Sequence, residues 1–148
     1  MMRTHLLTVT TVAAIFLACE RPTLTAEDVC ARLTSEIQAV KNCHRKALSP
    51  SHQVDGIVGS FEAEVGEDPA ADLYIYQFDS AEGVKKACKE EADRIQKLRD
   101  ESKGTFLGIM AENAPSECRE DLKILVIGQP TETEHHDEIV RAVKRLRR

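Results

Sequence analysis

An uncharged run of thirteen residues, from Leu6 to Ala18, divides this 148-residue chain into a leader and a part that can fold. Arg3 precedes the run, and the polar segment Glu20-Arg21-Pro22 follows it closely. Thirteen residues at ~1.5 Å each give ~20 Å of helix, which is too short to span a ~30 Å hydrocarbon core. A short basic region before an apolar one is typical of a secretory signal peptide. We therefore exclude this segment from the fold and expect an exported protein.

The end of the run narrows the kind of signal peptide. Residues Ile15-Phe16-Leu17-Ala18-Cys19 resemble the lipobox of bacterial lipoproteins, although Phe16 stands where the family usually has Leu, Val or Ile. The resemblance implies a diacylglyceryl group on the Cys19 thiol, cleavage after Ala18 and, in many species, N-acylation of the new terminus. Multiple acyl chains anchor a protein stably in a bilayer. Because Glu20 and not Asp follows the cysteine, the resemblance favours the outer membrane in a host that has two, with the domain facing the periplasm or the exterior.

Two alternatives compete with the lipobox for the N-terminal segment. Ordinary signal peptidase prefers small residues one and three positions before its cut, and the pair Phe16 and Ala18 fits that preference poorly. An uncleaved core helix would be ended abruptly by Glu20-Arg21-Pro22. On the lipoprotein interpretation, residues 1–18 are a cleaved signal peptide, residues 19–24 a lipidated leader and residues 25–148 one domain.

Five cysteines are an odd number for an exported protein. Assigning Cys19 to the lipid leaves four for two disulfides in an oxidising compartment: Cys30, Cys43, Cys88 and Cys118. On one unbroken helix Cys30 and Cys43 would lie ~20 Å apart, whereas bridged Cα atoms lie ~4.4–6.8 Å apart. If that helix is unbroken, two pairings are left: Cys30–Cys88 with Cys43–Cys118, or Cys30–Cys118 with Cys43–Cys88.

Hydrophobic periodicity predicts one α+β domain with the element order α-β-β-α-β-β-α. Thr25 and Asp28 come close to a capping box before a first helix over residues 26–47, and Thr131 with Glu134 predicts a second box before the last helix. Strands are predicted over residues 57–65, 73–78, 105–111 and 122–127. The second strand is apolar on both faces and should be central. Because each helix has one apolar stripe, we expect a roughly four-stranded, mainly antiparallel sheet with the helices packed on one face.

The helix expected after Asp79 or Ser80 has a clear division of faces. Its charged positions alternate in sign and should face water. The inner face of this helix is predicted to consist of Val84, Cys88, Ile95 and Leu98.

Charge and motifs exclude several functions. The formal net charge of −5 argues against a nucleic-acid partner, because phosphate binding needs a basic face. The chain has no nucleophile elbow, P-loop, dinucleotide-binding glycine motif, H-E-x-x-H or C-x-x-C. His44, His52 and the pair His135-His136 are scattered candidates for a catalytic base. We expect no catalytic residue and no cofactor.

Two charged clusters near the C-terminus deserve an interpretation. In His135-His136-Asp137-Glu138, His135 with Glu138, or His136 with a distant group, could bind a metal. Solvated first-turn residues explain the cluster better, so we expect no metal site. Five basic residues end the chain and could contact an anionic surface near the membrane: Arg141, Lys144, Arg145, Arg147 and Arg148.

The sequence therefore predicts a membrane-tethered cell-envelope lipoprotein whose domain binds or interacts without catalysis. Its expected partners are the lipid bilayer, through acylated Cys19, and an envelope protein. A lipobox before a small α+β domain is similar to the organisation of many bacterial lipoproteins and implies no activity. The alternatives are an accessory subunit or enzyme with a site of dispersed residues, and a small structural protein of the envelope. A concave pocket that holds His44 or His52 beside an acid would favour the enzyme, and an exposed apolar patch or an oligomer would favour the structural protein.

Overall fold

The computed structural model of the protein describes residues 23–49, 55–67 and 70–147. Cys19, His52, Arg148 and the signal peptide predicted for residues 1–18 lie outside the described residues. The class is α+β, as predicted. The elements in chain order are α1 (Ala26–Glu36), β1 (Val40–Arg45), β2 (Ile57–Val65), β3 (Ala71–Phe78), α2 (Ala81–Glu101), α3 (Phe106–Glu112), β4 (Ser116–Arg119), β5 (Ile124–Gly128) and α4 (Thr133–Arg145).

The sheet has five antiparallel strands in the order β1-β2-β3-β5-β4, with β3 in the centre as predicted. The extra strand, β1, comes from the second half of the predicted first helix, which ends at Glu36. The apolar residues Ile37 and Val40 fit a helix or a strand equally well by spacing alone. Both are buried, and Val40 pairs with Val65, so tertiary packing decides the conformation.

The strand predicted over residues 105–111 is wrong, because these residues form α3 and its cap. Thr105 caps the helix by accepting a hydrogen bond from the Gly108 amide at 3.4 Å. Gly104 has a φ of +76°, which lets the chain reverse after α2. A Cβ on Gly108 would overlap the Ser102 carbonyl oxygen, so only glycine permits α3 to cross this closely.

The predicted helix caps are confirmed at two sites and wrong at the third. Thr25 and Asp28 form a reciprocal capping box, and Ser80 caps α2. The box expected from Thr131 and Glu134 does not form, because α4 begins at Thr133 after Glu132, whose side chain makes no capping hydrogen bond.

The prediction that all helices pack on one face of the sheet is wrong, because helices cover both faces. Alternate residues of a strand point to opposite faces, so β3 sends Leu73 and Ile75 into a core with α1 and α4. Its residue Phe78 packs instead in a second cluster with Val84 of α2. We call these sides of the sheet the closed face, under α1 and α4, and the open face, under α2. The central strands are apolar on both sides, which requires a cover on each.

The disulfides follow the one pairing that the sequence argument excluded. Cys30 bonds to Cys43 with a Cα–Cα distance of 6.0 Å, and Cys88 bonds to Cys118 with a Cα–Cα distance of 5.9 Å. The exclusion rested on an unbroken helix, whereas α1 ends before Cys43 and the chain turns back beside it. One disulfide therefore fastens α1 to β1 and the other fastens α2 to β4. In the described ranges, no helix combines the length and the apolar content of a transmembrane span.

Candidate functional site

The open face contains a groove because α2 approaches the sheet closely only along its first half. Val84 is fully buried there and Cys88 is bonded to β4. Further along the same predicted stripe, Ile95 is half-buried and the Leu98 side chain is 37% exposed. The Ile95 and Leu98 side chains line a cavity of about 420 Å³ between α2, α3 and the sheet. Its lining is mainly apolar and includes Ile95, Leu98, Met110, Ala114, Ile127 and Pro130.

A second cavity of about 260 Å³ adjoins the first under the same helix. The two share Arg94 and Ile127 in their walls, so together they form one trough along α2. Helix residues from Gly83 to Ser102 line it, a length of ~28 Å at ~1.5 Å per residue. The smaller cavity has the more polar wall, which contains Asp55, Tyr76, Lys86, Glu90 and Glu91. The trough is therefore apolar at one end and polar at the other.

An ion pair lies where the two cavities meet. Arg94 donates from Nε to Glu91 Oε2 at 2.7 Å and from Nη2 to Glu91 Oε1 at 2.6 Å. Glu91 is 8% exposed, and its hydrogen bonds raise the pKa of Arg94 above its already high ordinary value. Arg94 therefore gives the buried Glu91 side chain a hydrogen-bonded partner. Sequence analysis missed it, although Glu91 stands at the helical spacing of the apolar stripe and was a visible exception.

Two tyrosines of β3 form the floor beside this ion pair. The Tyr74 and Tyr76 rings stack with their centroids 6.3 Å apart, and the Tyr74 hydroxyl donates to Asp72 Oδ2 at 3.1 Å. Lys46 Nζ lies 4.6 Å from the Tyr74 ring centroid and 2.7 Å from Glu62 Oε2. Burial raises the pKa of both tyrosines, and the bond to Glu62 raises the pKa of Lys46. At neutral pH the floor therefore presents neutral hydroxyls beside a fixed cation.

The apolar end of the trough opens beside exposed apolar side chains. Phe106 is 73% exposed and Ile109 is 58% exposed, both on α3. Phe106 lies one turn before Met110, which lines the larger cavity, and residues four apart share a side of a helix. The mouth is thus flanked by apolar surface that water solvates poorly.

The candidate residues from the sequence lie elsewhere. His44 is exposed on β1, with Nδ1 2.8 Å from the Asn42 carbonyl oxygen, and lines neither cavity. His135 Nε2 lies 3.7 Å from Glu132 Oε2, and His136 Nδ1 lies 3.1 Å from Asp137 Oδ1. Over residues 23–49, 55–67 and 70–147, no three His, Cys, Asp or Glu side chains are grouped as metal ligands.

The basic end of α4 lies at the same end of the domain as the start of α1. Arg119 Nη1 donates to the carbonyl oxygens of Val143 at 2.8 Å and Leu146 at 2.7 Å. Across the sheet, Arg119 is level with Ile124 and Gln77, and Gln77 Oε1 accepts from the Ala26 amide at 3.1 Å. Of the basic cluster, Lys144 pairs with Glu117 at 3.6 Å, while Arg141 Nε donates to the Asp137 carbonyl at 3.1 Å.

The groove on the open face is the candidate site because it combines volume, an apolar lining and a few fixed polar groups. Comparisons of the chain with protein-family models, with curated proteins and with solved structures give no significant match.

Proposed function

We propose that this chain is an exported lipoprotein, anchored through acylated Cys19, whose domain binds a small apolar or amphipathic ligand without transforming it. The observation that carries the binding role is the apolar cavity of about 420 Å³ under the second half of α2. Ligand sites have volumes of ~300–1,000 Å³ and are lined mainly by apolar side chains with a few fixed polar groups. Closer packing of α2 would bury more of Ile95 and Leu98 and stabilise the fold, so the open groove points to a use.

The export and anchoring part of the proposal rests on the lipobox and on the redox state of the cysteines. The four cysteines other than Cys19 form two disulfides, which persist in oxidising compartments and are rare in the cytosol. We expect the Cys19→Ala protein to leave washed membranes for the soluble fraction, with the wild-type protein as the control. Retention of the variant on the membranes would contradict the anchor.

The tether also suggests how the domain lies on the bilayer. Residues 23–25 and the basic end of α4 lie at one end of the domain, so Lys144, Arg145 and Arg147 face the anchored surface. Each base near an anionic membrane contributes about 1 kcal/mol of attraction at most. Acids at the same end, among them Glu27, oppose part of it. The contact orients the domain and adds little affinity.

Binding to the groove is tested with an uncharged solvatochromic dye such as Nile red. We expect saturable fluorescence with the soluble Cys19→Ala protein, and its loss when Ala114→Phe fills the cavity. The matched control is Ala92→Phe, an equal enlargement at an exposed position on the outer side of α2. Dye binding that is absent, or equally strong in both variants, would contradict the proposal.

A second candidate, a protein contact role in the envelope, is favoured by one observation. Phe106 and Ile109 are exposed together on α3. Sedimentation of the wild-type and the Phe106→Ser, Ile109→Ser proteins separates the two functions. A self-associating wild type and a monomeric variant would favour the contact role over ligand binding.

A further inference from the structure

We infer that the groove takes a single-chain amphiphile, with an unbranched aliphatic chain along the second half of α2 and an oxygen-bearing head beside Arg94. The inference rests on the proposed ligand-binding function and names the ligand class. It is carried by the shape of the trough, by the hydrogen-bonding state of its floor and by the position of Arg94.

The length and the volume of the apolar cavity suit an extended chain. From Arg94 to Ser102, α2 lines the cavity over ~12 Å, with Ile95 and Leu98 on one side and the sheet below. At ~30 Å³ for a group the size of water, about 420 Å³ holds about fourteen such groups, enough for a chain of about a dozen carbons. The alanines at positions 111 and 114 keep the groove open along this length.

The floor of the groove argues against a peptide as the occupant. An extended peptide gains affinity by adding to a sheet edge, where backbone groups are unpaired. Here the floor is the face of β3 and β5, which already pair with each other, for example Tyr74 with Ile127. A peptide helix, ~10–12 Å across, needs far more room than this cavity gives. The floor can therefore bind a ligand only through its side chains, and such contacts suit an alkyl chain.

Arg94 provides the site for the head. It lies in the wall of both cavities, at the point where the apolar stretch meets the polar one. Its Nε and Nη2 hold Glu91, and among the described residues no acceptor is bonded to Nη1. That donor suits a carboxylate or hydroxyl oxygen. Glu91 restrains the guanidinium, so less side-chain freedom is lost when the head binds.

The mouth of the groove gives such a ligand a way in. Leu98 and Phe106 expose apolar surface beside it, and a chain leaving a micelle or bilayer would stay in contact with apolar groups. The exposed patch has three large side chains, of which an aromatic one offers at most ~150–250 Å², whereas a standard protein interface buries about 800 Å² per partner. Contact with lipid accounts for a patch this small better than a stable protein interface does.

The test is displacement of Nile red from the soluble Cys19→Ala protein, with each competitor below its micelle concentration. Octanoate and dodecanoate form a length series, and decanol is compared with the compact 1-adamantanol, which has the same number of carbons. Burial of each methylene raises affinity about fourfold, so dodecanoate, with four more methylenes, should bind about 250-fold more tightly than octanoate. Decanol should bind at least tenfold more tightly than 1-adamantanol. Equal displacement by chain and compact competitors, or no dependence on length, would overturn the inference.

The head is tested with the double variant Glu91→Gln, Arg94→Gln, which removes both charges and leaves no buried acid unpaired. We expect dodecanoate affinity to fall about tenfold, since a hydrogen bond to a charged group is lost. Arg99→Gln, on the exposed side of α2, is the control and should leave affinity unchanged. Unchanged affinity in the double variant contradicts the head site. If the dye itself does not bind, the proposed function fails, which is a different result from dye binding without chain selectivity.

Discussion

The two faces of the sheet carry similar helices but differ in how far they are filled. On the closed face, Val29 and Leu33 of α1 meet Ile139 and Val143 of α4, and all are at most 1% exposed. On the open face, α2 buries Val84 and Glu91, while Leu98, on the same stripe, is left 37% exposed. An apolar stripe therefore identifies the inner side of a helix, but it does not determine whether side chains fill the space between that helix and the sheet. Here the closed face provides stability and the open face provides volume.

Removal of each disulfide should have the largest effects and should distinguish the open face from the closed face. Replacing Cys88 and Cys118 together with alanine should lower the free energy of unfolding by about 3.5 kcal/mol, and replacing Cys30 and Cys43 by about 3 kcal/mol, because the first pair closes the longer loop. Urea unfolding measures both. Only loss of the Cys88–Cys118 bond should also weaken dye binding, since that bond fastens the helix that walls the groove. Equal effects of both pairs on dye binding would break the comparison.

A matched pair of leucines tests the filling of each face directly. Leu33→Ala on α1 should cost about 3 kcal/mol of stability, because it leaves a cavity in a packed core. Leu98→Ala on α2 should cost about 1 kcal/mol or less, because the side chain already borders open space. Thermal and urea unfolding of the two variants give the comparison. Similar losses would mean that the groove is closed in solution.

Arg119 should matter for the closed face alone. It fastens α4 to the sheet through the carbonyl oxygens at the helix end, and it pairs with Asp121 at 2.9 Å. Arg119→Lys keeps the charge but loses the planar fork, so we expect a loss of about 1–2 kcal/mol and unchanged dye affinity. Arg145→Lys, at an exposed position, is the control and should lie within about 0.5 kcal/mol of wild type. A loss of dye affinity in the Arg119→Lys protein would instead show that packing on the closed face affects binding on the open face.

The smallest effect is expected at the cap of α1, where it depends on pH. The Thr25 amide donates to Asp28 Oδ2 at 2.8 Å, and the Thr25 hydroxyl donates to the same oxygen at 2.7 Å. These two hydrogen bonds lower the pKa of Asp28. A lowered pKa in the folded protein means that the stabilisation is present above the unfolded value near 3.9 and is lost as pH falls through the folded value.

Asp28→Ala should therefore cost about 0.5–1 kcal/mol at pH 7, and the difference from wild type should shrink below about pH 4. Chemical unfolding at several pH values measures it, with Asp93→Ala on the exposed side of α2 as the control. A difference that persists unchanged at pH 2 would show that the carboxylate is not the source.

The sequence predicts those parts of the fold that local chemistry decides. The caps at Thr25 and Ser80, the strand over residues 57–65 and the central place of β3 follow from residue types and alternation. The α1–β1 boundary does not, because Ile37 and Val40 satisfy both periods and only pairing with β2 selects the strand. The wrong disulfide pairing has the same cause, since only a helix that continued to Cys43 would keep Cys30 and Cys43 apart.

The candidate site was predictable only in part. The inner stripe of α2 follows from spacing, but a groove is a space between elements, and the distance between α2 and the sheet depends on contacts far apart in sequence. Glu91 was the available local clue, since an acid on an apolar stripe needs a partner, which Arg94 provides one turn later. The role of α3 could not be predicted, because the spacing of its apolar residues favours a strand.

If the open face binds a ligand and the closed face does not, isoleucine methyl groups on the two faces will respond differently to that ligand. Ile127 lines the groove, whereas Ile75, on the neighbouring strand, is fully buried on the closed face. The most direct measurement is the shift of their Cδ1 methyl resonances during titration with dodecanoate below its micelle concentration. We predict saturable shifts at Ile127 and Ile95 and none at Ile75 or Ile139. Saturable dodecanoate binding without a shift at Ile127, or equal shifts on both faces, would contradict ligand binding at the open face.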